Sequence, residues 1–233
     1  MTKKEERRSK KESETPAAEG PPAKSTLREY FESICVAVVL ALFVRTFVVQ
    51  AFKIPTGSME NNLLIGDHLL VNKFVFAPTM TRAEDTLLPI DPIRRGDILV
   101  FKYPKDPERD FIKRVIGLPG ETIELRDRKV HINGTPIDEP YVQFLFPFDS
   151  TETEPGVPNP RRSYGPVTVP PGYYFMMGDN RDNSEDSRYW GFMPRDYVQG
   201  KALFVYFSFG DSSTGLSGAL GNVRWSRILH QIH

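Results

Sequence analysis

The longest apolar run in the chain covers residues 34–52 and is interrupted only at Arg45, Thr46 and Gln50. As a helix, this run would be about 28 Å long, close to the roughly 30 Å thickness of a bilayer's hydrocarbon core. Arg45 lies toward one end of the run, where its long side chain can reach the headgroups. We therefore predict a transmembrane anchor over residues 34–52.

The segment before this run is almost devoid of aliphatic side chains and consists mainly of Lys, Glu, Ser, Pro and Ala. So little apolar surface cannot offset the entropy lost on ordering, so we predict a disordered tail over residues 1–33. Its many Lys and Arg residues place the tail in the cytoplasm, although Lys53 and Lys73 on the other flank make the asymmetry modest. Residues 53–233 are then expected to be extracytoplasmic.

Two other interpretations of the apolar run remain open. The first is a core helix of a soluble protein, which is usually shorter than this run. The second is a cleaved leader, because residues 49–51 place small side chains where cleavage after Ala51 would require them. The length of the charged segment and the position of Arg45 argue against cleavage.

Beyond the apolar run, short segments of alternating apolar and polar residues are separated by turns rich in Gly, Pro, Asn and Asp. This pattern is typical of antiparallel strands. Residues 135–166 are rich in proline, which predicts an irregular excursion from the main sheet. The predicted fold is mainly β, a convoluted antiparallel domain over residues 53–233 with one N-terminal transmembrane helix. Strands are expected at residues 68–74, 98–103, 111–116, 122–125, 129–132, 167–169, 173–177 and 202–209.

Charge and composition argue against several classes of function. The chain has 30 Lys and Arg residues against 30 Asp and Glu residues, so nothing favours nucleic-acid binding. The single Cys35 cannot form a disulfide within the chain. The histidines are scattered without metal-ligand spacing, and no Gly-rich phosphate loop is present in the sequence. We therefore expect neither a metal nor a cofactor.

The segment directly after the apolar run presents hydroxyl groups on a sharply bent backbone. Residues 54–59 read Ile-Pro-Thr-Gly-Ser-Met. Pro55 fixes its own φ and Gly57 has no Cβ, so the chain can bend tightly there. Ser58 is therefore a candidate nucleophile, with the Thr56 hydroxyl close to it in sequence. The alternative is an ordinary turn rich in Pro, Gly and Ser.

A serine hydroxyl is a weak nucleophile without a base. No histidine lies in a suitable motif, and Asn61 stands where a Ser-x-x-Lys motif would need lysine after Ser58. Lys113 is the best candidate, because strand alternation places it on one face with Phe111 and Val115. Burial among such neighbours would lower its pKa from about 10.4 toward about 7–8. The alternative is an edge-strand lysine that prevents aggregation.

A long loop beginning at residue 178 is dense in short polar side chains. Loops longer than about 12–15 residues are usually functional or disordered. The side chains of residues 178–188 are suited to orienting a buried lysine, and Asp186 and Arg188 are expected to form an ion pair. The alternative is a solvated polar loop.

Together, these segments resemble the bacterial type I signal peptidases, also called leader peptidases, which are Ser/Lys proteases. The resemblance implies an endopeptidase that removes signal peptides from secreted preproteins, with Ser58 as nucleophile and Lys113 as general base. It rests on five blocks that follow the predicted anchor in the family's order, at residues 54–59, 63–67, 95–101, 111–120 and 178–191.

The resemblance also implies roles for residues near the dyad. The Ser58 N–H and the Thr56 hydroxyl would form the oxyanion hole. Ser184 would hydrogen-bond Lys113 and orient it. A supporting ion-pair cluster would be formed by Asp186, Arg188 and Arg114.

The implied substrate is a preprotein with small residues at positions −1 and −3 of its cleavage site. In this family the peptide is thought to add as a strand along the cleft. The implied location is the inner (cytoplasmic) membrane, crossed once, with a cytoplasmic N-terminus and a periplasmic catalytic domain. We expect a monomer whose partners are the signal peptide and the lipid bilayer. The substrate pockets would be lined by Phe52, Ile54, Met59, Leu63, Leu69, Phe111 and Ile112.

Two other functions remain open. A repressor-type Ser/Lys autoprotease shares the catalytic logic, but would lack a membrane run and carry a DNA-binding domain before its catalytic part. A membrane-anchored β domain that binds peptides without cleaving them would use Ser58 and Lys113 only structurally.

Overall fold

The computed structural model describes residues 26–73, 92–147, 159–210 and 222–232. Most of the tail predicted to be disordered therefore lies outside the described residues. The chain divides into two compact units, Met1–Leu42 and Phe43–His233. The first unit contains most of the N-terminal helix, and the second contains the described strands.

The N-terminal helix, α1, covers Thr26–Phe43 and continues into a π-helical turn at Val44–Val48. None of its residues is buried within the structure. Thr26–Val48 has 23 residues and is long and apolar enough to cross a membrane, by length and composition. At 1.5 Å per residue it measures about 35 Å.

The helix does not coincide with the anchor predicted over residues 34–52. The helix begins earlier, at Thr26, and the residues after Val48 leave the helix to form strand β1, Val49–Lys53. This strand pairs antiparallel with β2, Asp67–Asn72. The β-branched and aromatic side chains at this end favour a strand, and the ladder satisfies backbone groups that a helix end would leave free.

The main sheet has eight strands, and its neighbouring strands run antiparallel. The central strand for the site is β4, which lies between β3 and β9. The spatial order is β1, β2, β11, β3, β4, β9 and β10, and β12 pairs with β11. The strands not yet given are β3 (Ile98–Tyr103), β4 (Asp106–Gly117), β9 (Tyr173–Met177), β10 (Met193–Pro194), β11 (Val198–Ser208) and β12 (His230–Gln231).

A second, four-stranded sheet has the order β7, β6, β5 and β8. These strands cover Thr135–Pro136, Lys129–Ile132, Thr122–Arg126 and Tyr164–Thr168, respectively. Both ends of the predicted excursion at residues 135–166 thus belong to a sheet, while residues 148–158 lie outside the described residues. The middle of the segment is also tied to the rest of the domain, because the Gln143 N–H donates to the Asp179 carbonyl at 2.9 Å.

An apolar cluster anchors the loop that joins β1 to β2. Met59 and Leu63 from this loop pack with Leu69 of β2 and with Ile98 and Val100 of β3. Full burial of one such side chain contributes about 1.5–3 kcal/mol, so the cluster holds the loop firmly against the sheet. This loop carries Ser58.

Candidate active site

Ser58 lies in a short 3₁₀ turn, Gly57–Met59, within the loop between β1 and β2. The preceding Thr56 is extended, and the Ile54 and Asp67 backbones close the base of the loop, with an N–O distance of 2.8 Å. The bent segment predicted from Pro55 and Gly57 is therefore held at both ends. Among the backbone hydrogen bonds of the described residues that lie outside helices and strands, none uses the Ser58 N–H as donor.

Lys113 reaches Ser58 from β4. Its Nζ lies 2.7 Å from Ser58 Oγ and 3.0 Å from the Ile112 carbonyl oxygen. Both residues are buried, with 4% of Lys113 and 6% of Ser58 exposed. The two residues expected from the sequence to react together are thus in direct contact.

Burial lowers the pKa of Lys113 to about 8. The nearby carboxylates of Asp186, Glu185 and Asp179 oppose this shift, while the Arg188 guanidinium adds to it. Loss of hydration disfavours the ammonium form more than these charges favour it. A substantial fraction of the amine is therefore neutral near pH 8 and able to accept a proton.

Asn180 positions the Ser58 turn, a role that the sequence pattern did not indicate. Its backbone N–H donates to the Ser58 carbonyl at 3.1 Å, and its side-chain Nδ2 donates to the Gly57 carbonyl at 3.2 Å. The approach is close: a Cβ at Gly178 would overlap both the Ser58 carbonyl and the Ser184 hydroxyl. The start of the polar loop is therefore packed directly against the nucleophile's backbone.

Asp186 and Arg188 form the predicted ion pair. Arg188 Nε and Nη2 each donate to the Asp186 carboxylate at 2.8 Å, and Nη2 also donates to the Arg181 carbonyl. Burial alone would raise the pKa of Asp186, but the Arg188 charge and hydrogen bonds outweigh it and lower that pKa. Since the Gly178 N–H also donates to Asp186, the pair fixes the shape of the loop.

Arg114 is not part of that pair, which corrects the predicted three-residue cluster. Its guanidinium donates to both oxygens of Asp179, at 2.8 and 2.7 Å, and to the Gly96 carbonyl at 2.9 Å. It also lies 3.8 Å above the Tyr141 ring. Neighbouring residues point to opposite faces of β4. Arg114 therefore contacts the start of the polar loop, at Asp179, on the face of the strand opposite to Lys113.

Ser184 does not make the hydrogen bond that the resemblance implied. It is buried, but its Oγ has no hydrogen-bond partner among the described residues. The Ser184 hydroxyl lies near the Asp186 carboxylate and helps to keep the pKa of Asp186 low. The close contacts of Lys113 Nζ are instead to Ser58 and to the carbonyl of Ile112.

The dyad opens into a cleft of about 470 Å³. Strand β4 borders it, and over residues 110–113 this strand pairs only with β3 among the described strands, leaving its other edge open. No group of three or more His, Cys, Asp or Glu side chains suited to a metal occurs in the described ranges. The cleft is lined by Pro55, Thr56, Ser58, Arg109, Asp110, Phe111, Ile112, Lys113, Asn183 and Glu185.

Most of the apolar side chains expected to line substrate pockets are core residues instead. Only Phe111 and Ile112 of that set line the cleft, and Phe52 packs at the edge of the underlying cluster. The others face inward in the β1–β2 loop and in β2, where the sheet covers them. These buried side chains are Ile54, Met59, Leu63 and Leu69.

The C-terminal segment, residues 222–232, also supports the Ser58 loop, although its sequence indicated no role. Arg227 donates to both oxygens of the buried Asp67 carboxylate and, at 2.8 Å, to the Asn62 carbonyl. Asp67 further accepts from Ser208 Oγ at 2.6 Å and from the Leu64 N–H at 2.8 Å. The loop is thus tied to the end of the chain.

The chain is similar to signal peptidases over most of its length. A family model described as signal peptidase, peptidase S26, matches residues 27–207. A signal peptidase I from Pseudomonas aeruginosa is 36% identical over 210 residues, which cover 79% of this chain and 74% of that protein. One from Aquifex aeolicus is 34% identical over 229 residues, covering 78% and 85%.

Two further similarities are to proteins from Bacillus and Enterococcus. Signal peptidase I P from Bacillus subtilis subsp. natto is 34% identical over 189 residues, covering 81% of this chain and 92% of that protein. The crystal structure of a signal peptidase I from Enterococcus faecalis V583 is 36% identical and has a TM-score of 0.38. That match covers 48% of this chain and 97% of the solved one.

Proposed function

This chain belongs to the signal peptidase family, peptidase S26, and we propose that Ser58 is its nucleophile and Lys113 its general base. The protein is a membrane-anchored peptidase that cleaves signal peptides. The observation that carries the assignment of the dyad is the 2.7 Å contact between Lys113 Nζ and Ser58 Oγ at the wall of an open cleft.

In the first half of the reaction, neutral Lys113 removes the Ser58 hydroxyl proton while Oγ attacks the scissile carbonyl carbon. The tetrahedral intermediate collapses when the carbon–nitrogen bond breaks. The Lys113 ammonium returns its proton to the leaving nitrogen, which becomes the new N-terminus of the mature protein. The lowered pKa of Lys113, about 8, suits it to both roles because a catalytic base works best near the operating pH.

In the second half, Lys113 takes a proton from a water molecule that attacks the Ser58 ester. The ester bond breaks, the signal peptide leaves with a new carboxyl group, and Lys113 returns the proton to Ser58 Oγ. The buried ion pairs Asp186–Arg188 and Arg114–Asp179 touch neither reacting atom, and they act by fixing the loop that faces the dyad.

The oxyanion of each intermediate needs hydrogen-bond donors. We assign this role to the Ser58 N–H and the Thr56 hydroxyl. The support is that Thr56 lines the cleft beside Ser58 and that, among the described residues, the Ser58 N–H donates to no backbone group outside the helices and strands.

The substrate is proposed to carry small residues at positions −1 and −3 and to add as a strand to the open edge of β4. Extended peptides bind exposed sheet edges through main-chain hydrogen bonds, and pockets for alternate side chains give the specificity. Phe111 and Ile112 lie on that edge and line the cleft. They are the pocket residues that we retain from the sequence prediction, with Phe52 beside them.

The orientation in the membrane is likewise a proposal. The Lys and Arg residues before α1 favour a cytoplasmic N-terminus. The peptidase unit then lies outside the inner membrane, where exported preproteins emerge, and the helix Thr26–Val48 contacts the lipid bilayer. A monomer is sufficient for this chemistry, because both members of the dyad come from one chain.

Cleavage of a preprotein with an Ala-x-Ala site by the detergent-solubilised full chain tests the assignment. We expect the parent protein and the control Ser226→Ala, which removes an exposed hydroxyl, to release mature product, and Ser58→Ala to release none. Cleavage by Ser58→Ala at the parent rate would reject the dyad. If the folded parent bound the preprotein without cleaving it, the result would favour the alternative function, a membrane-anchored domain that binds peptides.

A further inference from the structure

One carboxylate in the cleft is held in a fixed position close to the dyad. Glu185 lies between Ser184 and Asp186 in the chain, is exposed, and lines the same cleft as Ser58 and Lys113. Its Oε1 accepts a hydrogen bond of 2.6 Å from the Tyr103 hydroxyl of β3. A surface carboxylate usually samples several rotamers, and this bond restricts Glu185 to one side of the cleft.

Tyr103 is itself rigid. Its ring stacks on Phe111 with a centroid distance of 4.2 Å and an interplanar angle of 9°, and it meets Trp190 edge-on at 6.2 Å. The Phe111 ring in turn lies 5.2 Å from Lys113 Nζ. A continuous set of packed rings therefore connects the anchor of Glu185 to the catalytic lysine.

The hydrogen bond between Tyr103 and Glu185 persists over the range in which a lysine base would operate. Burial, followed by the Glu185 hydrogen bond and charge, raises the pKa of Tyr103 to about 12. Its hydroxyl consequently remains a donor at neutral and mildly alkaline pH. Tyr103 can therefore hold Glu185 in place over this pH range.

The other carboxylates that act on Lys113 are paired with cations. Asp186 is paired with Arg188, and Asp179 is paired with Arg114. Within the described ranges, Glu185 has a tyrosine hydroxyl as its partner and no ion pair. Its charge therefore acts on Lys113 without a bound cation to cancel it.

Two further charged groups border the same cleft. The Arg109 guanidinium lies over the Tyr103 and Phe111 rings, at 5.6 and 5.4 Å from their centroids. Asp110 accepts a hydrogen bond from Gln199 at 2.5 Å. Their charges are opposite in sign, so their effects on Lys113 offset each other in part.

We propose that Glu185 is a positioning residue that stabilises the protonated form of Lys113 and so raises the lower pH limit of cleavage. This inference rests on the proposed function, in which neutral Lys113 is the base. A fixed negative charge keeps the ammonium form populated to higher pH. Removing that charge extends activity toward acid.

The test is the pH dependence of kcat/KM for the full chain in detergent, with an Ala-x-Ala preprotein as substrate. For Glu185→Gln, we expect the acid limb to move to lower pH by about 0.3–0.6 unit, since a partly screened single charge acts on Lys113. At pH 6.5, kcat/KM then rises about two- to fourfold, because each unit is a tenfold change in the neutral fraction. Asp138→Asn removes an exposed carboxylate elsewhere and should leave the limb unmoved.

A second variant keeps the negative charge of Glu185 but removes the hydrogen bond that fixes its position. Tyr103→Phe removes the hydroxyl that anchors Glu185, so the acid limb should move in the same direction by a smaller amount. An unmoved limb in Glu185→Gln, or a uniform loss of rate at every pH, overturns the inference while leaving the dyad intact. Absence of any acid limb in the parent instead overturns the proposed role of Lys113, which separates the two failures.

Discussion

The Lys113 amine lies 2.7 Å from the Ser58 hydroxyl, although 55 residues separate them in the chain. Two features of the fold create this contact. Ser58 lies in a 3₁₀ turn within the loop after β1. Lys113 lies on β4 in the middle of the sheet, and strand alternation places its side chain on the face toward that loop. The same sheet excludes water from the lysine, which lowers its pKa to about 8.

Thr56 is expected to contribute strongly to the rate and little to binding. Thr56→Val removes the hydroxyl and keeps the β-branched shape, so the single-turnover cleavage rate should fall by about 10²–10³. Thr56→Ser keeps a hydroxyl and should retain most of the rate. Equal rates for the Val and Ser variants would exclude Thr56 from the oxyanion hole.

Asn180 should affect the rate by holding the Ser58 turn. Asn180→Ala removes the donor to the Gly57 carbonyl, and a lost hydrogen bond to a buried group costs about 1–3 kcal/mol. We expect kcat to fall about tenfold or more with little change in KM, and thermal unfolding in detergent to show that the protein remains folded. An unchanged kcat would mean that the backbone bond from Asn180 to Ser58 is sufficient.

The buried ion pair between Arg114 and Asp179 should have a large effect on the free energy of unfolding when one partner is removed. Asp179→Ala leaves the Arg114 guanidinium buried without its partner, which typically costs about 3–5 kcal/mol of unfolding free energy. Denaturant unfolding monitored by tryptophan fluorescence measures this loss. Glu124→Ala, which breaks the exposed pair with Arg126, is the control and should leave the midpoint unchanged. Equal unfolding midpoints for the two variants would show that the buried pair contributes no more to stability than the exposed pair.

The contact between Asp67 and Arg227 predicts a pH dependence of stability. Burial alone would raise the pKa of Asp67, but the hydrogen bonds and charge of Arg227, with those of Ser208 and Leu64, lower it. A carboxyl group whose pKa is lower in the folded state stabilises the fold above its unfolded pKa, about 3.9. That contribution disappears as the pH falls through the folded pKa.

Arg227→Gln should therefore lower the unfolding temperature at pH 7, and the difference from the parent should shrink below about pH 4. Thermal unfolding across this pH range checks the sign. A difference that grows toward acid would show that Asp67 is not the group responsible. Arg227 lies outside residues 27–207, the part matched by the family model, so the prediction concerns a region beyond that match.

Local pattern was sufficient to predict the longer strands of the domain after β1 and the burial of Lys113. Alternation around Lys113 placed it on an apolar face, and the strand at residues 98–103 has the predicted limits. The end of the N-terminal helix was predicted less well, because residues 49–52 are mostly apolar and continue the apolar run, whereas their pairing with β2 is a tertiary contact.

The side-chain partners in the polar loop could not be predicted, because they depend on how the loop folds against the sheet. Arg114 meets Asp179 instead of joining Asp186, and Ser184 Oγ does not reach Lys113. Nor does the sequence distinguish apolar residues that line a cleft from those beneath it. Leu69 and Ile112 look alike in the sequence, yet only Ile112 lines the cleft.

The most direct test of the account is the pH dependence of kcat/KM for preprotein cleavage by the parent and by Lys113→Met. Because the neutral amine is the active form, the parent's kcat/KM should rise with pH through an apparent pKa of about 8 and then level off. Lys113→Met, which keeps the apolar length of the side chain, should be inactive at every pH while remaining folded. Cleavage by Lys113→Met with the parent's pH profile would show that another group is the base and would contradict the Ser58–Lys113 dyad.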